Sequence, residues 1–240
     1  GAAELALSPA TVARTDAGWT VTGTLRQVQR DAPFALEVPV AVVTEKGTVR
    51  KIVPLEGREV RFEIATDAEP LALAADPQFD LFRKLDPREI PPSIGQLFGE
   101  PKVLAILPSG LAPDEDAAWR SLFAAWTTPT HAIEVKLETE IHALPADRAV
   151  WIVGRANRHA SLFAKQDGLA LGATDLTAVG ERFALAGHTF AVVTRHPGDP
   201  GKAVGWLFGD PLGALPGLGR KLPHYGKYSY LGFEGTEPVN

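Results

Sequence analysis

Between residues 19 and 95 apolar and polar positions show the period of two expected of strands. Trp19, Val21, Gly23 and Leu25 alternate with Thr20, Thr22 and Thr24, the pattern of a strand with one buried face. Phe34, Leu36 and Val38 continue the alternation into Val40-Ala41-Val42-Val43. Glu45-Lys46-Gly47 then supplies a short turn, Gly47 being free to take positive φ. A return strand is expected from Thr48 to Leu55, a turn at Glu56-Gly57, a strand through Val60, Phe62 and Ile64, and a last one from Leu71 to Ala75. Short strands at close spacing with no helical period between them predict an all-β sandwich of immunoglobulin-like architecture.

Two Asp-Pro turns (Asp76-Pro77, Asp86-Pro87) and the pair Pro91-Pro92 break the chain after this run. They predict a domain boundary near Pro91 to Pro101, with a β-sandwich domain over 1–95 and a second domain over 100–240. Phe79, Phe82 and Leu85 have one-turn helical spacing and are expected to pin the two domains together. Asp76 and Asp80 fit turn formation and capping, with cation binding as the alternative.

The pattern changes in the second half. Val103 to Leu107 is a continuous apolar run ended by Pro108-Ser109-Gly110. Pro113-Asp114-Glu115-Asp116 suits the first turn of a helix, and Trp119, Leu122, Phe123 and Trp126 make one apolar face. Ile133, Val135 and Leu137 alternate as a strand. Ala149 to Val153 reads as a buried strand, followed by Gly154 and a helix from Asn157 to Lys165. Phe183–Leu185 and Thr189–Val193 flank Gly187-His188 and predict a hairpin. Val204 to Phe208 is a further buried strand, Leu212 to Leu222 a glycine-interrupted helix, and Tyr228 to Phe233 a final strand. This rhythm predicts an α/β domain of the three-layer open-sheet kind.

Composition narrows the functions. At 240 residues and 45% hydrophobic content the chain is of ordinary globular make-up. The net charge of −5, with no long basic run, argues against a nucleic-acid partner. No stretch reaches the roughly 20 apolar residues of a membrane-spanning helix. The chain has no cysteine, which removes thiol catalysis, disulfides and cysteine-based zinc sites. It also has no Met and starts at Gly1, from which a piece of a longer polypeptide is expected.

No HExxH, GxSxG, GxxxxGK[ST] or strand-linked GxGxxG occurs. Ser109 follows a strand but lacks the spacing of a nucleophile elbow. Gly154-Arg155-Ala156-Asn157-Arg158-His159 lies where a strand hands over to a helix, the edge at which open sheets bind ligands. Arg155 and Arg158 with the helix N-terminus fit an anion there. The densest constellation joins Arg195-His196-Pro197 to Lys221-Leu222-Pro223-His224-Tyr225-Gly226-Lys227-Tyr228-Ser229-Tyr230. Arg195, His196, His224, Tyr225, Lys227 and Tyr228 are the ligand-binding candidates of this group, for an anion or for a peptide or sugar laid on the aromatics. A packed Tyr-rich strand end is the structural alternative. His196 and His224 show no metal-ligand spacing, and no catalytic residue, metal or cofactor is assigned. Haem held by His or Tyr is a weaker option.

Gly23-Thr24-Leu25-Arg26-Gln27-Val28-Gln29, Ala32-Pro33-Phe34 and Val38 to Val43 together resemble the β-sandwich that follows the catalytic domain in zinc aminopeptidases of the HExxH type. Asp76-Pro77, Phe82-Arg83-Lys84-Leu85 and Glu89-Ile90-Pro91-Pro92 are similar to the tail of that sandwich in bacterial exported members. The resemblance covers about the first 95 residues. Arg195-His196-Pro197 and His224 to Tyr230 resemble an accessory α/β domain of large exported bacterial proteins. The family's zinc ligands and catalytic Glu have no counterpart here. The resemblance therefore implies a non-catalytic accessory or binding region, periplasmic or extracellular. Its expected partners are a preceding catalytic domain and a peptide or small anionic ligand. The competing reading is a hydrolase or ligand-binding protein whose site in the α/β half uses Arg155, His196, His224 and Tyr228.

Overall fold

Alternating residues in the first ninety positions give strands with one wet and one dry face, and two such sheets enclose a single core. A computed structural model of the protein describes residues 1–166, 168–178 and 180–236. The chain is rich in β-structure and divides into two compact units, Gly1–Ile90 and Pro91–Asn240.

The first unit holds β1 (Ala3–Leu7), β2 (Thr11–Thr15), β3 (Gly18–Gln27), β4 (Leu36–Thr44), β5 (Gly47–Leu55), β6 (Glu59–Thr66), β7 (Pro70–Ala75) and β8 (Arg83–Lys84). One sheet runs β2-β3-β1-β8, with β6 along the other side of β3; the second runs β5-β4-β7. Val21 and Leu25 of β3, Phe62 and Ile64 of β6, Val38, Val40 and Val42 of β4, and Val53 and Leu55 of β5 form the shared core. β2 lies outside the strands expected from the pattern because all five of its residues are exposed, so burial imposes no alternation on it. Gln27 continues the buried face of β3. Its side-chain amide donates to the Phe34 and Gly57 carbonyls at 2.7 and 3.0 Å and accepts from the Phe34 N–H at 2.9 Å, latching two loops.

The segment after β7 is held by charge. Asp76 is buried and accepts from Asp80 N–H (2.8 Å), Leu81 N–H (3.3 Å) and Arg83 Nε (2.7 Å). Arg83, whose side chain is 2% exposed, also donates through both terminal nitrogens to Glu89 at 2.9 Å. That fork holds the Glu89 carboxyl below its ordinary value. Asp76 thus closes a loop, as the turn reading expected. Within the first unit Phe79 lies over the Arg83 guanidinium at 5.9 Å.

The second unit opens with α1 (Ile94–Gly99), whose Ile94 and Leu97 are buried in that unit's own core. The second domain therefore begins before residue 100. The unit continues with β9 (Lys102–Leu107), α2 (Pro113–Trp126), β10 (Ala132–Leu137), β11 (Ala149–Val153), β12 (Leu169–Leu171), β13 (Asp175–Ala178), β14 (Glu181–Ala184), β15 (His188–His196), β16 (Asp199–Gly209), α3 (Leu215–Lys221) and β17 (Tyr230–Glu234). Six strands form one sheet in the order β10-β9-β11-β16-β15-β17. The first four are parallel; β15 and β17 are antiparallel to their neighbours.

Odd-numbered positions of β9 and β11 (Val103, Ala105, Leu107; Ala149, Trp151, Val153) meet the three helices, whereas Leu104, Ile106, Val150 and Ile152 join a second cluster with Phe163, Leu176, Phe190 and Trp206. Burial on both faces explains why these strands are unbroken apolar runs. The stretch expected as a helix from Asn157 is a 3-10 helix, Arg158–Lys165, capped by Asn157. The expected hairpin of Phe183–Leu185 with Thr189–Val193 is not formed. β14 pairs with β13, and β15 lies between β16 and β17.

Candidate functional site

Two places in the second unit attract chemistry. One lies beyond the carboxyl ends of the parallel strands. From β9 the chain crosses through α2 to β10, then returns to β11 on the opposite side of β9. The strand order therefore reverses between β9 and β11, the kind of point where open sheets place ligands. The loops after these strands abut. Gly154 has φ +80°, and a Cβ there meets the Pro108 ring at 3.2 Å.

This point is filled by the chain itself. Glu138, the first residue after β10, accepts the Ser109 N–H at 2.8 Å with one oxygen and the Arg158 N–H at 2.7 Å with the other. Burial pushes its carboxyl up. The opposing donors, namely the two N–H groups and the Ser109 hydroxyl together with the Arg158 charge, outweigh that push and hold it below its ordinary value. Asn157 adds a second tie, donating to the Ile106 carbonyl at 3.0 Å and accepting the His159 N–H at 3.1 Å. The amide groups expected to cradle an external anion thus hold an internal carboxylate and a cap. Arg158 donates to the Ile141 carbonyl, and Arg155 reaches the Ala173 carbonyl at 3.3 Å. Both line a cavity of about 540 Å³ with Phe163, Leu171 and Trp206. His159 is kept below its ordinary value, first by burial and then by the Arg158 charge.

The second place is the β17 edge of the sheet, on the face that carries Phe190. A cavity of about 700 Å³ is floored by Phe190 and Val192 of β15, walled by Leu176 and Phe183 of the small β12-β13-β14 sheet, and rimmed by His188, Lys227, Tyr228, Tyr230 and Glu234. Its rings are ordered by one another. Phe190 stacks on Phe208 at 5.3 Å, His188 lies parallel to Phe190 at 5.9 Å, and Phe183 meets Phe190 edge-on at 6.4 Å. The Lys227 ammonium sits 5.1 Å from the centre of the Tyr228 ring, and Tyr228 and Tyr230 are 40% and 45% exposed. An apolar floor with a few polar groups at the rim is the usual make-up of a small-ligand or peptide site.

The residues expected from sequence therefore separate. Lys227 and Tyr228 line the larger cavity; Arg155 and Arg158 line the other. Arg195 and His196 sit at the turn between β15 and β16, at the edge where the parallel strands begin. Arg155 follows the end of β11, at the opposite edge. His196 is buried, its Nδ1 accepts the Gly198 N–H at 3.0 Å, and burial holds it below its ordinary pKa. Arg195 donates to the Pro200 carbonyl at 3.4 Å. Tyr225 packs between Tyr228 and Phe233 at 5.9 and 5.8 Å, and His224 is exposed at the end of a 3-10 turn. Arg155, His196, His224 and Tyr228 do not converge on one cavity, which corrects their expected grouping as a hydrolase site. Among the described residues no cluster of His, Asp and Glu has the arrangement of a metal site.

Sequence reasoning missed Glu138, Phe190, Gly232 and Glu234. Glu138 carried a signal in directly following a strand, and Gly232 another, since a glycine inside a strand marks a close approach or a gap. No protein-family model matches the chain, and no curated protein matches it.

Proposed function

We propose that the chain is a non-catalytic accessory and binding region of a larger exported bacterial peptidase-like protein, periplasmic or extracellular. The first unit is read as an immunoglobulin-like sandwich bracing a preceding catalytic domain. The second is read as a three-layer open-sheet domain that holds a peptide or a small anionic ligand. The bracing half rests on the resemblance of residues 23–43 and 76–92 to the aminopeptidase sandwich. The binding half rests on one observation, the apolar-floored cavity of about 700 Å³ at the β17 edge, a volume within the usual range for bound ligands, roughly 300–1,000 Å³.

The hydrolase alternative draws less support. Its expected residues Arg155, His196, His224 and Tyr228 do not line one cavity. Glu138, the carboxylate beside Ser109, is held below its ordinary value by two backbone N–H groups and so is a weak base for that hydroxyl. The deciding experiment incubates the chain with a mixture of short peptides, following peptide masses and the amide NMR shifts of the protein together. Intact peptides and shifts gathered around Phe190, Tyr228 and Gly232 are expected. Cleavage that disappears in His224→Ala or Ser109→Ala overturns the reading in favour of a hydrolase.

A further inference from the structure

The cavity opens onto a sheet edge whose backbone groups have no strand to pair with among the described residues, since β17 ends the strand order. Which groups point outward follows from the register. Val193 N–H donates to the Ser229 carbonyl and Gly235 N–H to the Gly187 carbonyl, while the Asp210 N–H takes the His188 carbonyl on the other side of β15. Odd-numbered residues of β15 thus bond to β17 and even-numbered ones to β16. Along β17 this alternation turns the N–H and C=O groups of Leu231 and Phe233 toward β15 and those of Tyr230, Gly232 and Glu234 to the free edge. Tyr230, Gly232 and Glu234 belong to the cavity wall, which Leu231 also borders, while the Phe233 side chain lies in the helix-side core with Leu231 packed against it.

The Phe190 ring closes over Gly232. A Cβ placed there would lie 3.1 Å from the ring, and Phe190 is itself 2% exposed, so the glycine lets the ring pack against the strand and adds no side chain of its own to the cavity rim. A residue on an added strand directly opposite Gly232 would project its side chain on the same face, over the glycine and toward the cavity. Large side chains on neighbouring strands cover edge glycines in this way. Charge sets the direction. Lys227 lies before the start of β17 and Glu234 at its end, both on the cavity rim. A strand with an anionic C-terminal end at Lys227 and a basic residue opposite Glu234 runs antiparallel to β17.

We infer that β17 receives an extended peptide as a seventh, antiparallel strand of the sheet. The peptide's anchor is a large apolar residue opposite Gly232. A basic residue stands two positions before the anchor, facing Glu234, and an acidic group or free carboxylate stands two positions after it, near Lys227. This mode adds main-chain hydrogen bonds to side-chain selection. It rests on the binding reading above and goes beyond it in naming the backbone as the recognised group.

The test uses the full chain and the hexapeptide Thr-Arg-Thr-Phe-Thr-Glu, carrying N-terminal fluorescein and a free carboxylate, in an anisotropy titration. Two derivatives of it, isomers of each other, carry one N-methyl group each, on the Phe or on the Thr that follows. The Phe amide faces Gly232, so its methylation is expected to weaken binding roughly tenfold or more by removing a hydrogen bond and obstructing the edge. The following amide faces away, and its methylation is expected to leave affinity within about twofold. Phe→Ala in the peptide is expected to cost about tenfold or more. Glu234→Lys, an exposed change, is expected to cost about threefold and to be offset by Glu in place of the peptide's Arg. Equal binding of both methylated isomers overturns strand addition while leaving the cavity reading standing. Absence of binding by all three peptides overturns the inference, and the peptide-mixture experiment then decides the cavity reading separately. A concentration-dependent dimer that Glu234→Lys disperses, with no peptide bound, overturns it in favour of a second copy of the chain on the same edge.

Discussion

The six-stranded sheet treats two inviting places in opposite ways. Beyond the ends of β9, β10 and β11, where the strand order reverses, loop N–H groups converge as they do in sites that bind anions, yet Glu138 takes the Ser109 and Arg158 amides. Along β17 the reverse holds. The outward backbone groups of Tyr230, Gly232 and Glu234 meet no strand among the described residues, and an apolar cavity lies beside them. A concave, donor-rich spot is therefore poor grounds for a ligand until the chain's own side chains have been placed in it. An edge left unprotected beside a cavity is stronger grounds, because proteins ordinarily blunt such edges.

The contrast between clasped and open regions can be broken most severely at the clasp with no exposure. Asp76 of the first unit holds two N–H groups and the Arg83 guanidinium, with both ion-pair side chains buried. Asp76→Ala is expected to destabilise that unit by about 3 kcal/mol. Removing one member of a buried pair strands the other, and here Glu89 retains part of the Arg83 charge. Hydrogen exchange followed by mass spectrometry across a urea series reads the units separately. A loss below about 0.5 kcal/mol, within the range of ordinary surface changes, would show that the pair is dispensable.

Glu138 does the same work in a half-exposed setting, and its removal is expected to cost less. Glu138→Ala should lower the stability of the second unit by about 1–2 kcal/mol, the worth of charge-assisted hydrogen bonds discounted for solvent. It should also free the Ser109 and Arg158 amides for an external anion. Sulfate should then stabilise the variant and leave the parent chain unchanged. No response to sulfate in the variant would show that the clasp is not a filled anion site. Because the folded-state pKa of Glu138 is depressed, its contribution is fully present above its ordinary value of 4.5 and is lost as pH falls through the folded value.

A smaller effect is expected at His196, which sequence reading placed among ligand-binding residues and the structure buries. Its pKa is depressed, so the unfolded chain takes up a proton more readily than the folded one. The stability it protects is present above its ordinary value of 6.5 and drains away as pH falls below it. Urea midpoints of the second unit measured from pH 8 to pH 5 should fall, and His196→Asn should flatten that slope by up to about 1 kcal/mol. An unchanged slope would remove burial of this imidazole as the cause.

How much of this was visible in the chain depends on how many faces each segment buries. The strands around Val21–Leu25, Val38–Val42 and Phe62–Ile64 have one dry face, so their alternation marks them directly. The β9 and β11 runs are dry on both sides and show as apolar blocks, and α2 shows through Trp119, Leu122, Phe123 and Trp126. β2 escaped because it is wholly exposed. The pairing of β14 escaped because a turn at Gly187-His188 indicates where the chain bends and not which strands bond. At the candidate site, Lys227 and Tyr228 were found from local density of chemistry. Phe190 and Gly232 were not, because their role arises from cross-strand register, Phe190 lying opposite Gly232 forty-two positions away.

The smallest effect separates a clasped serine from a working one. The Ser109 backbone N–H carries the clasp to Glu138, and that bond survives loss of the side chain. The hydroxyl of this exposed serine also helps to lower the pKa of the same carboxylate, a solvent-exposed contribution worth at most about 0.5–1 kcal/mol. Ser109→Ala is therefore expected to lower the stability of the second unit by at most that amount and to leave binding at β17 unchanged. Urea denaturation and the peptide titration read the two quantities independently. A loss of peptide affinity in Ser109→Ala would couple the two places that the structure keeps at different positions in the sheet. Unchanged affinity with a small loss of stability would leave Glu138 and Ser109 as a device of the fold and β17 as the surface that meets a partner.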